Sequence, residues 1–106
     1  MFRVYEVIGA GAYERALGRF LAKCGQRSRI KRFCLTKDLR CVETSLLFGN
    51  FEQDVITACN MYKCGFADAI LVSSLNDWSV EEKEYLIRMS ENAKVKVINL
   101  DELNYI

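Results

Sequence analysis

The sequence has no histidine and no proline. The first absence excludes imidazole acid–base chemistry and histidine metal sites. The second, with no Gly/Ser-rich stretch either, leaves nothing to mark a linker, so residues 1–106 are read as a single domain. No apolar run approaches the roughly 20 residues needed to span a bilayer. The opening Met1-Phe2-Arg3-Val4-Tyr5-Glu6 lacks the apolar region of a signal peptide. A cytoplasmic protein with no membrane partner is therefore expected. There is no C-x-x-C pair among the five cysteines, and their number is odd. Cys24, Cys34, Cys41 and Cys59 sit in apolar patterns, as reduced, buried small hydrophobes do.

What is present suits a small α/β core: 51% of residues are apolar and 27% charged. Residues 2–8 alternate as a short strand. Tyr13, Ala16, Leu17, Phe20, Leu21 and Cys24 then follow helical spacing, with Gly25 as a stop. Residues 28–48 read as strands: Ile30 to Leu35, a turn at Thr36-Lys37-Asp38, and a β-rich run from Leu39 to Phe48. Helical spacing returns from Phe51 to Lys63. Ala67 to Ser73 is an apolar run of the buried-strand type. Ser79 and Glu82 form a capping box ahead of a helix carrying Leu86 and Met89. Lys94 to Leu100 alternates as a last strand. Trp78 reads as a packing residue beside the helix start. The fold class expected is α/β, a small mixed β-sheet flanked by helices, in the order α-β-β-(β)-α-β-α-β.

Charge is unevenly distributed. Residues 1–41 carry ten Lys/Arg and three Asp/Glu, a net of +7; residues 42–106 carry five and eleven, a net of −6. Arg15, Arg19, Arg27, Arg29, Lys31, Arg32, Lys37 and Arg40 are candidate phosphate contacts, with DNA or RNA as the partner of this basic half. A basic face meeting the acidic half of another subunit, in a homodimer, is the competing explanation. Gly9-Ala10-Gly11-Ala12 stands where a phosphate loop would precede a helix. It lacks the third glycine of G-x-G-x-x-G, because Glu14 occupies that place.

Gly11-Ala12-Tyr13-Glu14-Arg15, continuing through Leu17, Leu21 and Gly25, resembles the opening helix of the restriction-endonuclease-like nucleases. The similarity is to the archaeal Holliday junction resolvases and Mrr-type endonucleases. Val42-Glu43-Thr44-Ser45 falls where that family has Glu-x-Lys. Ala67 to Ser74 and Val95 to Leu103 are similar to the closing half of Mrr-type domains. The resemblance implies a Mg²⁺-dependent nuclease centre, with Glu14, Glu43 and Asp38 as catalytic candidates. Glu43 and Glu14 would hold the metal. Ser45 stands in the place of the family lysine, so the implied centre is degenerate, and no cofactor is needed unless the protein is active. The leading expectation is a nucleic-acid-binding protein with this fold and an incomplete centre. The alternatives are an active Mg²⁺-dependent endonuclease and a non-catalytic, homo-oligomeric interaction or regulatory subunit.

Overall fold

A computed structural model describes residues 1–103. Strands and helices alternate throughout: β1 (Arg3–Glu6), α1 (Ala16–Lys37), β2 (Arg40–Val42), α2 (Phe51–Lys63), β3 (Ala69–Val72), α3 (Val80–Ala93), β4 (Val97–Asn99) and α4 (Leu100–Leu103). The four strands form one sheet in the order β2-β1-β3-β4, and every pairing is parallel. The α/β class expected from the sequence holds. The mixed sheet does not, and the order begins with a strand rather than a helix.

The change from a mixed to a parallel sheet arises in one place. Residues 30–35, read as a strand, are the second half of α1, which runs unbroken for 22 residues. Gly25 does not stop it. A Cβ there would meet nothing within 4 Å, so the residue sits in an open helical position. The helix ends instead at Asp38, which takes the left-handed conformation (φ 54°) and donates its N–H to the Cys34 carbonyl. The buried residues of α1 are Gln26, Ile30 and Cys34, at i, i+4 and i+8. A polar residue opening that stripe hides its helical period. The β-rich run from Leu39 shrinks to β2, three residues long, and it pairs parallel to β1 rather than forming a hairpin.

A parallel connection needs a crossover, and α1, α2 and α3 supply the three. The sheet steps from β1 to β2 in one direction. It then passes back over β1 to β3 and on to β4. Right-handed crossovers demand that a reversal of direction place helices on opposite faces. The core follows this rule. Tyr5, Val7, Ile70 and Val72 pack with Val55, Ala58 and Cys59 of α2 and Leu86 of α3. On the other face, Val4, Ala69 and Leu71 pack with Ile30 and Cys34 of α1 and with Leu100. β3 is buried on both faces, as its unbroken apolar run implies.

The capping box read at Ser79 and Glu82 opens α3. The Ser79 hydroxyl accepts from the Glu82 N–H at 3.1 Å, and the Glu82 carboxylate accepts from the Ser79 N–H at 2.9 Å. Asn50 caps α2 by accepting from the Gln53 N–H. No helix among the described residues is long and apolar enough to cross a membrane.

The continuity of α1 has a direct consequence. Gly25→Ala is expected to stabilise the protein by about 0.5–1 kcal/mol, since alanine fits the helix interior and restricts the unfolded chain. Urea unfolding of the two proteins measures it. A loss of stability would mean that Gly25 does end the helix.

Candidate functional site

Parallel sheets place ligand sites beyond the carboxyl ends of their strands, near the reversal in strand order. Here that edge is built from three loops: residues 7–15 after β1, 43–50 after β2 and 73–79 after β3.

The loops after β1 and β3 are locked to each other. Gly9 lies against the Trp78 ring, and a Cβ would come within 2.8 Å of it. Gln26, buried on α1, donates to the Gly9 carbonyl at 2.8 Å and accepts from the Gly9 N–H at 3.3 Å. Its Oε1 also accepts from Trp78 Nε1. Gly11 donates to the Glu82 carboxylate at 2.8 Å, Ala12 to the Asp77 carbonyl, and the Tyr13 hydroxyl to Asp77 Oδ1 at 2.6 Å. The amides that would cradle a phosphate in a Gly-x-Gly loop are thus spent on the protein's own acceptors. Glu82 occupies the place an anion would take, so Gly9-Ala10-Gly11 is a packing device. Trp78 is the packing residue its position suggested. Nothing in the sequence marks Gln26, because a glutamine carries no periodic signal.

The loop after β2 is held by cations on one flank of α1. Glu6, at the end of β1, is completely buried. Arg27 donates to it from Nη2 at 2.7 Å and from Nε at 3.3 Å. The Thr44 N–H adds a third contact at 3.1 Å and its hydroxyl a fourth at 3.3 Å. Arg27 also donates to the Thr44 carbonyl. The Glu6 partner and burial act in opposite senses on Arg27, and the partner prevails, raising its pKa. One helical turn either way, Lys31 pairs with Glu43 at 3.3 Å and Lys23 reaches the Leu46 carbonyl at 3.4 Å. Arg19, a further turn back, donates to the Tyr13 and Glu14 carbonyls.

Between these two locked regions is a recess of about 110 Å³. Gly11 forms part of its floor. Arg19 and Lys23 of α1 line one wall, with Thr44, Ser45 and Gly49 from the loop after β2. Asp54 of α2 and Glu82 of α3 also line it. Glu82 is already committed to Gly11 and Ser79. The Asp54 carboxylate receives no hydrogen bond among the described residues, and it lies over Gly49, whose Cβ would stand 3.2 Å from Oδ2. Burial pushes the Asp54 carboxyl up, against the pull of Lys23. Asp54 is thus a partly buried carboxylate with acceptor capacity to spare, close enough to Lys23 to feel its charge.

The residues singled out in the sequence are dispersed. Glu14 precedes α1 and Asp38 follows it, so the two stand at opposite ends of a 22-residue helix, about 33 Å long at 1.5 Å per residue. Glu43 lies just past β2 and faces Lys31. Among the described residues no group of three His, Cys, Asp or Glu is placed to hold a metal ion. The acids present do not fit Mg²⁺, which needs several oxygen ligands in one shell. Of the basic candidates, Arg27, Arg29 and Lys31 are in ion pairs with Glu6, Asp101 and Glu43. Arg15, Arg19, Arg32, Lys37 and Arg40 make no ion pair among the described residues. All five cysteines are free; Cys34 and Cys59 are buried and Cys64 is exposed. Burial pushes the Cys41 thiol up to about 12, which leaves it unreactive near neutrality.

Comparisons of the chain with protein-family models, curated proteins and solved structures found no match.

Asp54 and the paired aspartates respond oppositely to acid. Asp68 is lowered by its hydrogen bonds from Arg3, and Asp101 by its hydrogen bond from Arg29. Their stabilisation is present at neutral pH and is lost as pH falls through the folded values. Asp54 is raised, so its charged form costs stability at neutral pH, and protonation relieves that cost. Asp54→Asn is therefore expected to raise the unfolding midpoint at pH 7 and to lose the advantage below about pH 4, near the ordinary aspartate value. Thermal unfolding across pH checks this; an unchanged or lowered midpoint at pH 7 contradicts it.

Proposed function

We propose that the protein binds a small anionic molecule, with a phosphoryl or carboxylate group, in the recess at the carboxyl edge of the sheet. The observation that carries this reading is the meeting there of Arg19 and Lys23 with a donor-less Asp54. The anion would lie against the two cations and the Thr44 and Ser45 hydroxyls. A hydroxyl or amine elsewhere on the ligand would donate to Asp54. At about 110 Å³ the recess is smaller than the roughly 300–1,000 Å³ typical of drug-sized ligands. It suits a charged group on a short polar body rather than a whole dinucleotide.

Calorimetric titration with inorganic phosphate, pyrophosphate and a short hydroxycarboxylate tests the proposal. At least one is expected to bind. Lys23→Gln should weaken that binding roughly tenfold, the equivalent of about 1.4 kcal/mol. Asp54→Asn should weaken it for the hydroxyl-bearing ligand while making the protein more stable, a trade-off common where a strained group serves function. No binding of any of the three to the parent protein contradicts the reading.

A second reading keeps the nucleic-acid binding that the nuclease resemblance implies, without cleavage. Arg15, Arg32, Lys37 and Arg40 lack ion-pair partners among the described residues, and phosphates would supply them. If these four contact a duplex, log affinity should fall against log salt with a slope of about −3 to −4. Fluorescence anisotropy with labelled DNA and RNA across a salt series measures that slope. A slope near zero, or no binding at low salt, removes this reading and leaves the first standing.

A further inference from the structure

Two unpartnered helix faces lie on opposite sides of the sheet, and the helices that carry them have net charges of opposite sign. On one side, the outer face of α1 exposes Leu17 (68%), Leu21 (60%) and Phe20 (38%). Beside them Tyr13, Arg15 and Gly18 help to line a shallow, mainly apolar groove. α1 contains seven Lys/Arg and no acid. On the other side, the outer face of α3 runs Val80, Glu84, Ile87, Glu91, at i, i+4, i+7 and i+11, flanked by Glu81, Lys83 and Arg88; α3 as a whole has four acids and two bases, a net of −2. Val80 (62%) and Ile87 (52%) are exposed. None of Glu81, Glu84 or Glu91 makes an ion pair among the described residues.

We infer that copies of this chain associate head to tail, the outer face of α1 in one copy docking on the outer face of α3 in the next. Like faces pair less well than unlike ones: α1 on α1 sets seven cations against seven with no acid between them, and α3 on α3 sets two net-negative helices together. Unlike faces match in both respects. Val80 and Ile87 cover Leu17, Phe20 and Leu21, while Glu84 and Glu91 meet uncommitted cations such as Arg15 and Arg32. A contact between two different faces is heterologous, so it propagates unless its rotation closes a ring. With α1 and α3 on opposite sides of the sheet, the product is a stack rather than a closed pair. A single helix-on-helix contact buries less than the roughly 800 Å² per partner of a stable complex. Association is therefore weak, concentration-dependent and salt-sensitive. It does not depend on the ligand recess.

Sedimentation velocity of the full chain over a rising concentration series tests it. Species larger than a dimer are expected at about 0.05 M salt, with association roughly tenfold weaker at about 0.5 M. Leu21→Glu and Ile87→Lys change exposed positions on one face each, and unchanged unfolding midpoints would verify that both fold. Each variant alone is expected to be monomeric. Mixed, they should form a heterodimer and stop there, because Leu21→Glu keeps its α3 face and Ile87→Lys keeps its α1 face. A parent protein that stays monomeric throughout overturns the inference. So does one that stops at a symmetric dimer, or a mixture that remains monomeric.

Discussion

A carboxylate sealed inside a sheet must be neutralised and hydrogen-bonded, and the answer to Glu6 organises much of this molecule. Glu6 ends β1 on the face covered by α1, and it has no exposure at all. An isolated buried charge is prohibitive. Arg27 supplies the counter-charge and Thr44 two more donors, so the carboxylate is well satisfied. Buried pairs of this kind stabilise little against an apolar alternative, but losing one partner costs about 3–5 kcal/mol. The pair therefore acts as a constraint. It fixes the rotation of α1 about its axis and pins the start of the loop after β2 to the end of β1.

From that point the cation row of α1 acts as a seam. Arg19, Lys23, Arg27 and Lys31 recur every four residues, so they lie along one flank. Three of them grip the loop after β2, at Leu46, Thr44 and Glu43. Part of the charge asymmetry along the sequence is thus settled within the chain, by the Lys31–Glu43 pair. Arg3 with Asp68 and Arg29 with Asp101 extend the same pattern. The recess exists because the seam holds one wall of it and the Gln26–Trp78–Gly9 lock holds another. Exposed ion pairs such as Lys31–Glu43 add little by themselves. Their value is in where they place the loop.

The sequence made the second half of the fold readable and concealed the first. α2, β3, the Ser79 capping box, α3 and β4 each carry an uninterrupted local signal. α1 does not, since Gly25, Gln26 and Arg27 sit together where an apolar stripe should continue. Gln26 and Arg27 face inward because Gly9 and Glu6 need them, and those are contacts across 17 and 21 residues that local periodicity cannot register. A helix that stops at Gly25 leaves no crossover between β1 and β2, and the residues after it then read as a hairpin. The recess was hidden for a related reason. Lys23 and Asp54 are ordinary residues in sequence, and only the seam brings their elements together. In sequence Glu43 reads as an acid within a strand, whereas β2 ends before it.

The central claim is that the Glu6–Arg27 pair holds the loop after β2 in place. The amide of Thr44 reports on it directly, because that N–H donates to Glu6 although Thr44 belongs to no helix or strand. Native-state hydrogen exchange, compared between the parent protein and Arg27→Gln, is the decisive measurement. The account predicts that the Thr44 amide of the parent exchanges as slowly as amides of β1 and β3, and that it becomes fast in Arg27→Gln while β3 stays protected. A Thr44 amide that already exchanges in the parent as fast as the exposed Leu47 would contradict it.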